Sequence, residues 1–181
     1  EIGVRLVGSE MCIRDRFEYG CFCPVMRLHG YRWPLQPQYG TTGGATCVSG
    51  APNEVWSYTD QVCEILSDYL RLRERMLPYI TELMEEAHEK GTPVMRPLFY
   101  DFPEDKESWN VETEYMFGPK VLVKPITDAD ARETDVYLPG GASWTNAWTG
   151  ETFEGGQKVH VAAPIEQIPL FTRDGYKLPM K

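Results

Sequence analysis

The hydrophobic pattern of the chain changes period near residue 110. Between residues 53 and 90, apolar side chains recur at helical spacing, as at Leu66, Tyr69 and Leu72. After residue 110, the apolar side chains fall in short runs rich in β-branched and aromatic residues, and glycine pairs separate these runs. The pattern predicts a helical region followed by a region of short strands, with a domain boundary near residue 110.

The helical region contains signals for its start, its division and its end. Asn53 is the predicted N-cap, because its short polar side chain can accept a backbone amide hydrogen bond. Pro78 has no backbone donor, so a break is predicted near Leu77, with Pro78 in the first turn of a second helix. Gly91 and Pro93 predict the end of that second helix.

The segments on either side of the helices have different patterns. Residues 22–29 are almost continuously apolar, which predicts a short strand buried on both faces. Residues 30–52 hold five glycines and three prolines, which predicts an extended loop, and residues 93–103 form a proline-rich connector. Strand-like runs then occur with the spacing of an antiparallel sandwich, at 115–126, 134–138, 143–148, 158–162 and 168–172.

Composition and charge exclude several classes of function. No apolar run approaches the roughly 20 residues of a membrane span, so a membrane partner is not expected. The net charge of -9, with scattered cations, would repel a phosphate backbone, so nucleic acid is not expected either. The cysteines are odd in number and unevenly spaced, which predicts a reducing, cytoplasmic setting: Cys12, Cys21, Cys23, Cys47 and Cys63.

The first sixteen residues differ in character from the rest of the chain. They read EIGVRLVGSEMCIRDR, with neither a small-residue cleavage site nor a sufficiently apolar stretch for an export signal. The string is similar to translated library-adapter sequence. Residues 1–16 are therefore predicted to be a non-native leader.

Three segments of the chain carry a family resemblance. The first is FCPVMRLHG at residues 22–30, and the second is GTPVMRPL at residues 91–98. The third combines YMFGPKVLVKP at 115–125 with VYLPG at 136–140, WTG at 148–150 and IPLF at 168–171. In this order and spacing they resemble the C-terminal part of glycoside hydrolase family 31, over most of the chain from Phe17 onward.

The resemblance implies a fold of class α/β plus β. Residues 17–110 would be the tail end of a (β/α)8 TIM barrel, comprising its last strand, a loop and its last helices. Residues 111–181 would be the antiparallel β-sandwich that comes after the barrel. The chain is accordingly expected to be a C-terminal fragment.

The resemblance also implies an activity, the hydrolysis of terminal α-linked xylose or glucose by a retaining α-glycosidase that needs no cofactor. Retaining glycosidases need two carboxyl groups about 5–5.5 Å apart, and this family carries both as aspartates on earlier barrel strands. Their motifs have no match in residues 1–181, so no catalytic residue is assigned. The chain is expected to be inactive alone, with an α-linked oligosaccharide or glycoside as its substrate and the missing barrel portion of the same polypeptide as its partner.

Two residues are candidates for substrate binding. His29 would end the last barrel strand and point into the mouth of the barrel, and in the family the matching histidine hydrogen-bonds hydroxyls of the sugar beside the scissile bond. The ordinary alternative is a strand-end histidine bonded to backbone. Arg27 lies two residues earlier and so faces the same side of the strand. It is expected to support the pocket by pairing with carboxylates of the missing active site.

Metal sites have weak support in the sequence. Cys21, Cys23 and His29 lack a fourth zinc ligand at a suitable spacing. Asp128 and Asp130 lack the glycine and distal glutamate of a calcium loop. No metal is therefore expected.

A second hypothesis is a non-catalytic module, either carbohydrate-binding or structural, built on the sandwich. Trp144 and Trp148 are four residues apart and would share one face of a strand, where they would stack on a sugar or, more commonly, pack in the core. A barrel strand without its neighbours lacks hydrogen-bond partners. Residues 1–50 are therefore expected to be poorly ordered alone, with 110–181 as the stable core.

Overall fold

The computed structural model describes residues 10–28, 54–128 and 130–180, with side chains from residue 16 onward. The α-helices of these ranges are α1 (Glu10–Cys21), α2 (Asp60–Arg75), α3 (Leu77–Lys90) and α4 (Leu98–Asp101), and 3₁₀ turns lie at Val55–Ser57 and Lys106–Trp109. The strands are β1 (Met95–Pro97), β2 (Tyr115–Phe117), β3 (Val121–Val123), β4 (Glu133–Leu138), β5 (Ser143–Asn146), β6 (Thr152–Glu154), β7 (Gln157–Ala162) and β8 (Leu170–Arg173).

Helices α2 and α3 confirm the predicted break. Met76 lies between them, and Pro78 occupies the first turn of α3, where its missing donor costs nothing. Gly91 caps α3 in the left-handed conformation with φ 69°, as predicted. The start of α2 differs, because Thr59 is its N-cap and accepts a hydrogen bond from the Val62 amide. Asn53 lies outside the described residues.

The strands form antiparallel ladders, as predicted for the second half of the chain. One sheet has six strands in the order β1-β2-β3-β8-β5-β6, and β4 pairs with β7 in a separate two-stranded sheet. The proline-rich connector contains β1, which pairs with β2 at Arg96 and Met116, so the sheet begins before residue 110. The predicted run 115–126 is a hairpin of β2 and β3. Gly118 lies in the turn of this hairpin with a positive φ of 60°, which favours glycine. A Cβ there would also collide with Leu83.

Both faces of the six-stranded sheet are covered, and this makes three layers. The helices pack on one face around Phe117, Val121, Val123 and Leu170, and we call this cluster the helix-side core. The two-stranded sheet packs on the other face around Met116, Leu122, Trp144 and Phe171, and we call this the strand-side core. Alternate residues of β3 enter opposite cores, so all three are fully buried. The sandwich therefore shares its sheet with the helical layer.

The prediction of a strand at residues 22–29 is wrong for the described part of that range. In its described part, residues 22–28, the backbone leaves α1 through a turn and bends, without strand pairing. Strands exist only as ladders, and none of the described strands pairs with this segment. The neighbourhood is nevertheless packed, because Phe17, Cys21 and Phe22 are buried in the helix-side core. The poor order expected for residues 1–50 alone stays a prediction, since residues 1–9 and 29–50 lie outside the described residues.

The N-terminal helix overlaps the predicted leader, since α1 begins at Glu10. The domain limits 1–16, 17–110 and 111–181 stay predictions. Within the part of the chain that the structure describes, every helix is too short or too polar to cross a lipid bilayer.

Candidate functional site

The candidate site is the segment that leaves the C-terminal end of α1. His29 lies outside the described residues, so its role rests on the sequence. Arg27 is described, and its side chain is exposed on the irregular stretch after Pro24. Val25, two residues earlier in the sequence, is also exposed, at 76%. The structure therefore defines this site through the backbone of residues 21–24, which leads to Arg27.

Arg73 binds three backbone carbonyls of this segment. The Arg73 Nη1 atom donates to the carbonyl oxygens of Cys21 at 2.7 Å and Cys23 at 2.8 Å, and Nη2 donates to that of Pro24 at 3.1 Å. Carbonyls at the end of an α-helix have no partner inside the helix. A guanidinium also suits the negative end of the helix dipole. A side chain of α2 thus caps α1 across some 50 residues of sequence.

Tyr115 binds the remaining carbonyl. Its hydroxyl donates to the Phe22 carbonyl oxygen at 3.0 Å, and its ring makes an edge contact with Tyr19, with the centroids 5.8 Å apart. The Phe22 ring makes a second edge contact with Phe117 on the same strand as Tyr115, with the centroids 6.3 Å apart. All four consecutive carbonyls of residues 21–24 are therefore held by two side chains. We call Arg73, Tyr115 and these carbonyls the carbonyl clamp.

The Tyr115 donor of the carbonyl clamp stays protonated at any ordinary pH. Burial raises the pKa of the Tyr115 phenol well above its ordinary value, so the hydroxyl stays protonated. Sequence reasoning missed both residues, because the hydrogen bonds join positions 49 to 93 residues apart and local patterns give no signal for them.

The cysteines of this segment are protected thiols. Burial raises the pKa of Cys21 to about 12, and its Sγ lies 3.7 Å from the Met26 sulfur. Burial also raises the pKa of Cys23, which donates from its sulfur to the Tyr19 carbonyl. A thiol rather than a thiolate is a poor metal ligand. Over residues 10–28, 54–128 and 130–180, no three suitable side chains converge on a possible metal position.

The two tryptophans of the second hypothesis lie in different places, which corrects the expectation of a shared face. Trp144 is fully buried in the strand-side core, and its Nε1 donates to the Pro139 carbonyl at 2.9 Å. Trp148 lies beyond the end of β5 and packs against the helix-side core, with its Nε1 donating to the Ile168 carbonyl. It lines a groove of about 480 Å³ beside Tyr69 and Leu72 of α2. Trp144 is therefore not available to a sugar.

Glu114 is a buried carboxyl that links β4, in the two-stranded sheet, to Lys124 at the end of β3 in the six-stranded sheet. It accepts the Tyr137 amide hydrogen at 3.0 Å and lies 3.6 Å from the Lys124 ammonium. Burial raises its pKa from 4.5 to about 7, although Tyr137 and Lys124 oppose the rise. Between these two pH values the folded chain holds a proton that the unfolded chain has released. The contribution of Glu114 to the stability of the chain is therefore largest below pH 4.5 and is lost as the pH rises through 7.

Glu114→Gln is expected to remove that pH dependence, because the amide accepts the Tyr137 hydrogen without a charge to bury. The wild-type free energy of unfolding should fall by up to about 3 kcal/mol more than the variant's between pH 4.5 and pH 8. Urea unfolding at several pH values measures this difference. Glu112→Gln, at an exposed neighbour, should keep the wild-type change of the free energy of unfolding with pH. Equal slopes in the wild type and Glu114→Gln would refute this explanation of Glu114.

Comparisons with known proteins define the family. Residues 7–83 match the glycosyl hydrolases family 31 TIM-barrel domain, and residues 91–178 match the glycosyl hydrolase family 31 C-terminal domain. The chain belongs to glycoside hydrolase family 31. The expected fold class is confirmed, with the end of a TIM barrel followed by the C-terminal β-sandwich domain.

Named relatives are α-xylosidases and α-glucosidases. An α-xylosidase of Saccharolobus solfataricus is 35% identical over 91% of this chain, and α-glucosidase 2 of Bacillus thermoamyloliquefaciens is 39% identical over 67% of it. The solved α-xylosidase of this family from a soil metagenome, complexed with xylose, is 44% identical over 93% of the chain, with a TM-score of 0.86. The chain spans 20% and 15% of the two relatives and 25% of the solved structure.

Proposed function

We propose that this chain supplies the sugar-recognising end of the barrel in a retaining α-glycosidase that hydrolyses terminal α-linked xylose or glucose. His29 is the proposed sugar contact, Arg27 is proposed to support the pocket by pairing with carboxylates of the active site, and the substrate is an α-linked oligosaccharide or glycoside. The observation that carries the proposal is the 44% identity to an α-xylosidase complexed with xylose, over nearly the whole chain. That relative favours xylose over glucose as the sugar.

The proposed division of labour leaves hydrolysis to residues outside this chain. Asp101 and Glu114, two carboxyls with little exposure, serve the scaffold instead. Asp101 lies 3.1 Å from Arg96, and Glu114 is held by Lys124 and the Tyr137 amide. The two catalytic aspartates that the family resemblance implies, about 5–5.5 Å apart in a retaining enzyme, are proposed to lie outside this chain. The chain alone is therefore proposed to be inactive, with the preceding barrel portion as its partner and the cytoplasm as its location.

A graft tests the proposal directly. This chain would replace the matching quarter of the soil-metagenome α-xylosidase, which supplies the remaining barrel. We expect the graft to release p-nitrophenol from p-nitrophenyl α-xyloside with a kcat/KM within about tenfold of the parent's, since the backbone agrees closely and a tenfold loss is a modest change in transition-state stabilisation.

The control is the same graft carrying the parent's own segment. The p-nitrophenyl α-glucoside, assayed in parallel, decides between the two sugars. A graft that folds, with a thermal transition like the parent's, and yet releases no p-nitrophenol from either substrate would contradict the proposed function.

A further inference from the structure

We propose that Arg73 and Tyr115 are positioning residues for sugar recognition, acting through the carbonyl clamp on residues 21–24. This inference rests on the proposed function, which assigns the sugar contact to His29 and the support of the pocket to Arg27. Neither Arg73 nor Tyr115 touches the sugar. Their role is to set where and in which direction the backbone leaves α1 toward those residues.

The directions of the hydrogen bonds support this role. Arg73 comes from α2 and Tyr115 from β2, so the segment is held from the helical layer and from the sheet at once. Their donors occupy successive carbonyls, and this fixes both the position and the rotation of the backbone around Cys23. Within residues 22–28 no ladder does this, since none of the described strands pairs with the segment.

The clamp also couples the C-terminal domain to the proposed site. Tyr115 lies in the strand that carries Phe117 into the helix-side core, and its register with Val123 is fixed by the β2–β3 hairpin. The position of the Phe22 carbonyl is therefore tied to the folding of the sheet. We infer that the sandwich domain contributes to recognition without contacting the sugar.

The chain offers matched controls for both residues. Tyr79 donates from its hydroxyl to the Phe117 carbonyl at 2.9 Å, inside the scaffold. Arg75 lies on the same helix as Arg73 and also binds two backbone carbonyls, those of Pro179 and Met180. Tyr79→Phe and Arg75→Lys thus remove comparable bonds to carbonyls other than those of residues 21–24.

Hydrogen exchange on the 181-residue chain tests the clamp itself. The Phe22 and Cys23 amides donate to the Tyr19 and Gly20 carbonyls at the end of α1. Arg73→Lys should increase the exchange rate of these two amides at least about tenfold, because local opening no longer costs the guanidinium bonds. Arg75→Lys should leave their exchange unchanged. Equal exchange in Arg73→Lys and the wild type would overturn the inference.

Kinetics of the graft test the positioning. Tyr115→Phe removes one hydrogen bond and should raise KM for p-nitrophenyl α-xyloside about fivefold with kcat nearly unchanged. The reason is that the lost positioning weakens the binding of the substrate and of the transition state equally. Tyr79→Phe should leave KM within twofold of the unsubstituted graft. If the two variants give the same KM, the inference is wrong while the proposed function stands. An inactive but folded unsubstituted graft would instead overturn the proposed function and this inference with it.

Discussion

Replacing His29 by alanine in the graft is expected to lower kcat/KM for p-nitrophenyl α-xyloside about 100- to 1,000-fold. An imidazole can hydrogen-bond two sugar hydroxyls, one as donor and one as acceptor. Losing both bonds leaves those hydroxyls unpaired in a closed site, which costs about 1–3 kcal/mol each. Steady-state kinetics measure the change.

The chain contains a matched control for this variant. His88 is exposed in the last turn of α3, and His88→Ala should leave kcat/KM within twofold of the unsubstituted graft. Thermal transitions of the two variants should agree. If His29→Ala behaved like His88→Ala, the sugar contact would be absent and the alternative, a histidine bonded to backbone, would be favoured.

Replacing Trp144 by alanine is expected to destabilise the chain by about 3–5 kcal/mol, the usual cost of removing a fully buried aromatic ring. The indole fills the strand-side core, contacts Phe102 and donates to the Pro139 carbonyl. Its loss leaves both a cavity and a carbonyl without a partner. Urea unfolding followed by circular dichroism measures the change.

Trp109 provides the control for Trp144. It too donates from its indole to a proline carbonyl, that of Pro103, but its side chain is 57% exposed and stacks on Phe99. Trp109→Ala should therefore cost less than about 1 kcal/mol. Equal losses in the two variants would contradict the assignment of Trp144 to the core and would reopen a surface role for it.

Local chemistry in the sequence predicted the helices well. Pro78 and Gly91 each act on their own backbone, through a missing donor and a left-handed φ, so the break and the end of α3 follow from the residues themselves. The start of α2 was less accurate, since Thr59 caps it instead of Asn53. Thr59 directly precedes α2, whereas Asn53 lies six residues earlier in the sequence. Both side chains can cap a helix, so the sequence pattern alone does not place the helix start.

Strands were harder to predict because they need partners. The apolar run at residues 22–29 predicts a strand, yet in the described part it has no ladder to join. The opposite error occurred at β6, which pairs with β5 although its three residues, with only Phe153 apolar, are too short a run to predict a strand. Apolarity reports burial, whereas pairing depends on which segments the fold brings together.

The candidate site likewise combines residues that are close together in the sequence with residues that are far apart. The motif around Arg27 and His29 is visible in the sequence, because the resemblance is carried by consecutive residues. The carbonyl clamp is not, since Arg73 and Tyr115 reach residues 21–24 from two distant elements. Contacts of this kind form only once α2 and the sheet are in place. The residues of the proposed sugar site are close together in the sequence. The residues that position them are not.

Recognition without the hydrolytic carboxyls is the property that we propose for this chain. Its direct measurement is the release of p-nitrophenol from p-nitrophenyl α-xyloside and α-glucoside by the purified 181-residue chain, compared with a buffer blank and with the graft at equal concentration. We expect release by the graft and none above the blank by the chain. Release by the chain alone, at a rate that rises with its concentration, would show that it holds a catalytic pair and would contradict the proposal.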